Sequence, residues 1–235
     1  MNNKFAVILS VGLILAALVF GIFFHSSRAN KNTIRVVGYA TEAFTADKIK
    51  WDFSISTNVN DVNDIAAGYK ILQNKLEKFK LIWEKQNIAY SDMNISPVNV
   101  YKQYGEQGKI VGNHFEQRIF IISEQLDAVE DISINPKKFI DAGIAFERTN
   151  LQYFSTKLPE IKKQLLAAAT KNARERANEI AAANGSKVGK LKTAHAGVFQ
   201  ITEPYSTDIA GYGIHSTSTR KKNIKVTVTC SFYSD

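Results

Sequence analysis

Lys48-Ile49-Lys50-Trp51-Asp52-Phe53-Ser54-Ile55-Ser56-Thr57-Asn58-Val59 decides the fold class. Ile49, Trp51, Phe53, Ile55 and Val59 alternate with Lys48, Lys50, Asp52, Ser54, Ser56 and Asn58, the two-residue period of a β-strand with one apolar and one wet face. Such an apolar face has to be covered, and the next segment supplies the cover. Val62, Ile65, Tyr69, Leu72, Leu76, Phe79 and Trp83 recur at helical spacing, which predicts an amphipathic helix capped by Asn60 or Asp61 and ended by Gln86-Asn87. A helix laid on its own sheet is the expected arrangement, in preference to a coiled coil.

Toward the C-terminus, residues 92–103 and 112–123 predict two strands joined through Tyr104-Gly105-Glu106-Gln107-Gly108. Ile119-Phe120-Ile121-Ile122 is apolar on both faces, as in a central or doubly covered strand. Residues 126–142 predict a shorter helix interrupted near Pro136 and closed by Gly143. Then the pattern restarts. A strand at 150–157 precedes a long helix opened by Pro159, with Ile161, Leu165, Ala169, Ala173, Ala177 and Ile180 on one face and Asn184-Gly185 as its stop. Strands at 189–202 and 223–233 follow, separated by a Gly/Ser/Thr-rich loop at 203–219. Toward the N-terminus, residues 33–39 predict a brief strand leading into 40–46.

The fold expected is therefore α+β: two β-α-β-β type units, with long helices packed on antiparallel sheet. The pseudo-repeats fall at about 48–123 and 150–234, within one domain over 33–234. The first helix offers bulky contacts and the second an alanine row, which predicts a close approach of the second to its sheet and intolerance of added volume there.

Outside that domain lies a charge-free run at residues 5–24, opening on Phe5 and closing on Phe24. As a helix it reaches about 30 Å, the thickness of a bilayer's hydrocarbon core, so a lipid bilayer is its expected partner. Lys4 and the small residues of Ser27-Arg28-Ala29 are also compatible with a cleaved signal, but twenty apolar residues exceed the usual core of a signal peptide and favour a retained anchor over 1–29. Residues 26–32 form a short polar linker. Arg28, Lys31 and Arg35 on the far side outnumber Lys4, which by the positive-inside count places the domain in the cytoplasm; large domains can translocate regardless of that count.

About 200 residues beyond the anchor suffice for a well-buried core, and 45% apolar with 11% aromatic residues excludes a disordered chain. The net charge of +8 falls to +6 without residues 1–29, and basic and acidic residues interleave as in a solvated helix face, so nucleic acid is not an expected partner. The single cysteine, Cys230, excludes an intrachain disulfide and multi-cysteine metal sites; it alternates with Ile224, Val226, Val228 and Phe232 as a core residue.

Candidate chemistry is sparse. His25, His114, His195 and His215 stand singly, without zinc-ligand spacing, and neither a nucleophile elbow nor a phosphate-cradling loop is present. Asp92 and Glu116 lack a spacing that would pair them. No catalytic residue, metal ligand or cofactor is therefore expected, and the chain reads as a non-enzyme. Tyr101, Tyr104, Tyr205 and Tyr212 flank the loops at 104–112 and 203–219, which exceed the two to five residues of a tight hairpin, and are candidate contact residues.

Ile34-Arg35-Val36-Val37-Gly38-Tyr39-Ala40, the strand around Trp51, the segment Ile88-Ala89-Tyr90-Ser91-Asp92-Met93-Asn94-Ile95, the alanine-rich helix at 167–183 running into Asn184-Gly185-Ser186-Lys187-Val188-Gly189-Lys190-Leu191, and Ile224-Lys225-Val226-Thr227-Val228-Thr229 occur in an order that resembles the SIMPL-domain family of bacterial envelope proteins. The similarity covers residues 33–234. The resemblance implies an α+β domain in the periplasm or cell envelope, without established catalytic residues, in a family with ring-like oligomers among its relatives. The expectation is a membrane-anchored extracytoplasmic domain in the bacterial inner membrane, or one secreted to the periplasm after signal cleavage, with a structural, oligomer-forming or interaction role; further copies of the chain in a homo-oligomer and an envelope protein are the partners expected. An envelope enzyme with a site lacking any motif, and a cytoplasm-facing basic binding module, are the alternatives.

Overall fold

The computed structural model describes residues 2–28 and 32–234. Ala29 of the candidate cleavage site and linker positions 29–31 lie outside the described residues. The first helix, α1 (Asn2–Arg28), contains the window Val7–Phe24, with mean hydropathy 2.9 and none of it buried. It is long and apolar enough to cross a membrane or to serve as a signal sequence.

The rest is a mixed α+β fold with two five-stranded sheets. Its elements run β1 (Thr33–Thr45), β2 (Lys48–Val59), α2 (Ile65–Lys85), β3 (Asp92–Ile95), β4 (Asn99–Tyr104), β5 (Ile110–Ser123), α3 (Leu126–Ile134), α4 (Lys137–Asp141), β6 (Phe146–Phe154), α5 (Leu158–Ala183), β7 (Val188–Ala196), β8 (Gln200–Thr202), β9 (Ile214–His215) and β10 (Lys221–Ser234). One sheet has the order β1-β10-β8-β9, with β7 also on β10; the other is β3-β5-β2-β6, with β4 also on β5. The described pairings are antiparallel except for a two-residue parallel match of β8 with β9. The chain divides into two compact units, one of Met1–Tyr39, Ala169–Gly197 and Val228–Asp235, the other of Ala40–Ala168 and Val198–Thr227.

In the second unit, Ile49, Trp51, Phe53 and Ile55 of β2 are fully buried with Ile119 and Ile121 of β5, and Leu72, Phe79 and Trp83 of α2 belong to the same core. Phe79 stacks on Phe139 of α4 at 5.3 Å and meets Phe53 at the same distance. The helix begins later than the Asn60 or Asp61 cap expected: Asp64 caps it, accepting from the Ala67 N–H at 3.0 Å, while Asp61 closes a local turn onto Asn63. The strand expected over 92–103 is broken at Ser96-Pro97-Val98, because a proline has no N–H for the ladder; both pieces still pair with β5. The strand expected over 189–202 likewise divides into β7 and β8. α4 ends at Gly143, whose φ of +82 is open to glycine without steric cost.

In the first unit, Ala169, Ala173, Ala177 and Ala181 of α5 are buried, as are Val36 of β1 and Val228, Cys230 and Phe232 of β10. Gly38 explains the alanines: a Cβ there would collide with the Ala169 carbonyl and with Ala173. The α5 side chains also occupy β1's backbone, since Asn172 accepts from the Tyr39 N–H at 3.1 Å and Arg176 donates to the Val37 carbonyl at 2.9 Å.

Candidate functional site

The wet face expected for β2 is only partly wet. Asp52 and Ser54 retain 6% and 2% of their surface, although α2 packs on the other face of the strand. The cause lies in the neighbouring strands. Register places Ser54 opposite Arg118 and Ser56 opposite Glu116 on β5, and Lys50 and Asp52 opposite Gln152 and Asn150 on β6. Together with Asn99 and Tyr101 of β4 and Arg148 of β6, these polar side chains apart from Ser56 line a concavity of about 540 Å³ within the second unit.

Two ion pairs organise it. Arg118 donates from Nε to Asp52 Oδ1 at 2.7 Å and from Nη2 to Oδ2 at 2.5 Å, a bidentate grip that raises the guanidinium pKa, with Glu116 adding to the effect. Arg148 Nη1 lies 3.3 Å from Glu116 Oε1. Arg148 has a φ of +50, next to the irregularity where β6 loses register with β2 between Asp52 and Ser54. Bulges of this kind re-aim side chains. Lys50 Nζ sits 4.0 Å from Asp52 and 4.2 Å over the Phe120 ring.

A family model described as SIMPL, a protein of unknown function (DUF541), matches residues 34–232. The chain belongs to the SIMPL family. No curated protein matches the chain.

The SIMPL domain distributes the four candidate tyrosines over two places. Tyr101 lines the concavity, its ring 6.2 Å from that of His114, and Tyr104 ends β4 with 64% of its surface exposed. The connection after Tyr104 is shorter than expected, because Gly105 N–H bonds the Lys109 carbonyl at 2.8 Å around a single 3-10 turn, Glu106–Gly108. The loop at 203–219 is long, and in it Tyr205 and Tyr212 are 98% and 97% exposed. No ring contact joins the two pairs of tyrosines. Tyr205 borders a smaller hollow of about 310 Å³, with Phe44, Pro204, Lys221 and Lys222.

Other candidates stand apart. Asp92 lies opposite Ile122, six positions along β5 from Glu116, about 20 Å at the rise of a strand. His114 Nδ1 is 2.7 Å from Asn58 Oδ1, while His195 and His215 lie on β7 and β9. The side chain of His25 lies outside the described residues. Sequence reasoning missed the Asp52–Arg118 and Glu116–Arg148 pairs, which join residues 66 and 32 positions apart through strand register. It also missed Lys222, 3% exposed, whose ammonium donates to the Tyr153 carbonyl and whose pKa is lowered by burial. The only sequence signal for Lys222 is its place in phase with Ile224 and Val226.

Proposed function

We propose that this SIMPL protein is a non-catalytic, membrane-anchored assembly protein, held in the bacterial inner membrane by residues 5–24 with its domain outside the cytoplasm. The observation that carries the reading is the loop at 203–219, where Tyr205, Ile209 and Tyr212 expose 98%, 77% and 97% of their surfaces. Large apolar side chains gain by leaving water, and tyrosine supplies contact area with few rotors to freeze, which is why it is enriched in interface cores. Tyr205 also holds a φ of +63, uncommon for a bulky residue and consistent with a loop shaped for contact. A second copy of the chain is the partner proposed: anchoring confines copies to one surface and raises their effective concentration. In the concavity a guanidinium engages each carboxylate, Arg118 on Asp52 and Arg148 on Glu116, an arrangement that suits a structural use of both acids.

The test is the native mass of the full chain extracted from membranes, compared with a variant carrying Tyr205→Ser, Ile209→Ser and Tyr212→Ser. A defined oligomer that falls to monomer in the variant is expected; unchanged mass would remove the loop from the interface. A reporter active only in the periplasm, fused after Asp235, is expected to be active, and the protein to fractionate with membranes at full length.

A further inference from the structure

The concavity on the open face of the β4-β5-β2-β6 sheet has a composition that its surroundings do not require. Among the described residues its lining contains no aliphatic side chain, and Tyr101 is its one ring. The two carboxylates are its most deeply placed charges: Asp52 and Glu116 are 6% and 4% exposed, whereas the side chains of Arg118 and Arg148 that they hold are 63% and 75% exposed. The acids therefore orient the arginines, and the arginines present their remaining N–H donors outward. Between them stand Ser54, Asn99, Tyr101, Asn150 and Gln152, whose side chains make no hydrogen bond among the described residues.

This array discriminates among ligand classes. Lys50, Arg118 and Arg148 against Asp52 and Glu116 leave the lining one net positive charge, too little to neutralise a multiply charged anion, and a cation meets the two outward guanidiniums and the Lys50 ammonium. An apolar ligand leaves the carboxamides and hydroxyls desolvated without partners, at about 1–3 kcal/mol for each unsatisfied group. A neutral polyol suits every group present. Each carboxamide offers both a donor and an acceptor, each guanidinium edge offers paired donors to neighbouring hydroxyl oxygens, and the half-exposed Tyr101 ring offers a flat apolar surface to ring C–H groups. About 540 Å³ is within the range of small-molecule sites.

We infer that this concavity binds a neutral saccharide through its vicinal hydroxyls, with Arg118, Arg148, Asn99, Asn150 and Gln152 as hydrogen-bonding partners and Tyr101 as the stacking surface. The inference is independent of assembly through the loop at 203–219. The test uses the full-length chain in a detergent without a sugar headgroup, titrated with glucose, N-acetylglucosamine, cellobiose and chitobiose, and with inorganic phosphate for comparison. The readout is the side-chain amide resonances of Asn99, Asn150 and Gln152. Saturable shifts from at least one sugar are expected, and weakening of its affinity by about tenfold or more in Asn150→Ala/Gln152→Ala and in Arg148→Ala, each about 1.4 kcal/mol or more. All three substitutions fall on exposed or half-buried positions of β6, and Tyr205→Ser should leave sugar affinity unchanged. Absence of a saturable shift from every sugar, a shift from phosphate equal to that from the sugars, or affinity indifferent to both β6 variants would each overturn the proposal.

Discussion

The two units bury different chemistry. Among the described residues the seven buried polar or charged ones, Asp52, Ser54, Asn113, Glu116, Ser123, Thr202 and Lys222, belong to the second unit, which also holds the large aromatic core. The first unit buries small and aliphatic residues with Cys230 and Phe232. A buried polar group is costly unless satisfied, so its concentration in one unit marks where the chain retains polarity at a cost to stability. The first unit instead obtains cohesion from close backbone approach at Gly38. The contrast extends to the helices: α2 presents large side chains to its sheet, α5 methyl groups.

The largest effect expected tests the aromatic half. Phe79→Ala should cost about 3–5 kcal/mol, read from urea unfolding, because Phe79 is fully buried and its ring meets Phe53, Trp83 and Phe139. A loss under 1 kcal/mol would mean that this core collapses around the gap.

The alanine half should fail in the opposite direction. Ala173→Phe should cost about 1–3 kcal/mol by overpacking, since Ala173 is fully buried and already in contact range of Gly38. Cys230, also fully buried, should react with thiol reagents only on unfolding, and burial further pushes its pKa up. Fast labelling of native protein would contradict the close packing of this unit.

These contrasts differ in how far the sequence announces them. The alternation of β2 and the three-and-four spacing of α2 are local patterns, and the alanine row gives a close helix–sheet contact directly. What the local pattern cannot contain is register. Asp52 and Ser54 look solvated because nothing near them in sequence covers them; Arg118, Asn150 and Arg148 reach them only after β5 and β6 pair with β2. The breaks at Pro97 and between β7 and β8 were similarly hidden inside runs of strand-forming residues, although Pro97 carried its own warning.

Two opposed pH dependences should appear within the second unit, which holds both Lys222 and Tyr153. Burial lowers the Lys222 pKa from its ordinary 10.5, so between that lowered value and 10.5 the unfolded chain binds more protons than the folded one, and stability from this residue rises with pH. Tyr153 acts oppositely: desolvation, with a hydrogen bond to Glu130, raises it from 10.0 to about 12, so its contribution falls as pH climbs through that interval. Lys222→Met should abolish the rise on the acidic side of pH 10 while leaving the decline above it. Parallel stability–pH curves for the two proteins would exclude Lys222 as the source.

The smallest effect concerns the β1 backbone in the first unit. Asn172 and Arg176 occupy the Tyr39 N–H and the Val37 carbonyl, and Arg176 also lies 5.0 Å from the Tyr39 ring. Both contacts are exposed, so water can replace the lost partners, and Asn172→Ala with Arg176→Ala should cost only about 1–2 kcal/mol in total. Free strand-edge groups are templates for pairing with another chain, and the alanines would leave Val37 and Tyr39 unguarded. Concentration-dependent aggregation that exceeds the loss of stability is therefore expected, measured by light scattering at matched folded fraction. Aggregation no greater than in the starting protein would show that these side chains only support helix packing.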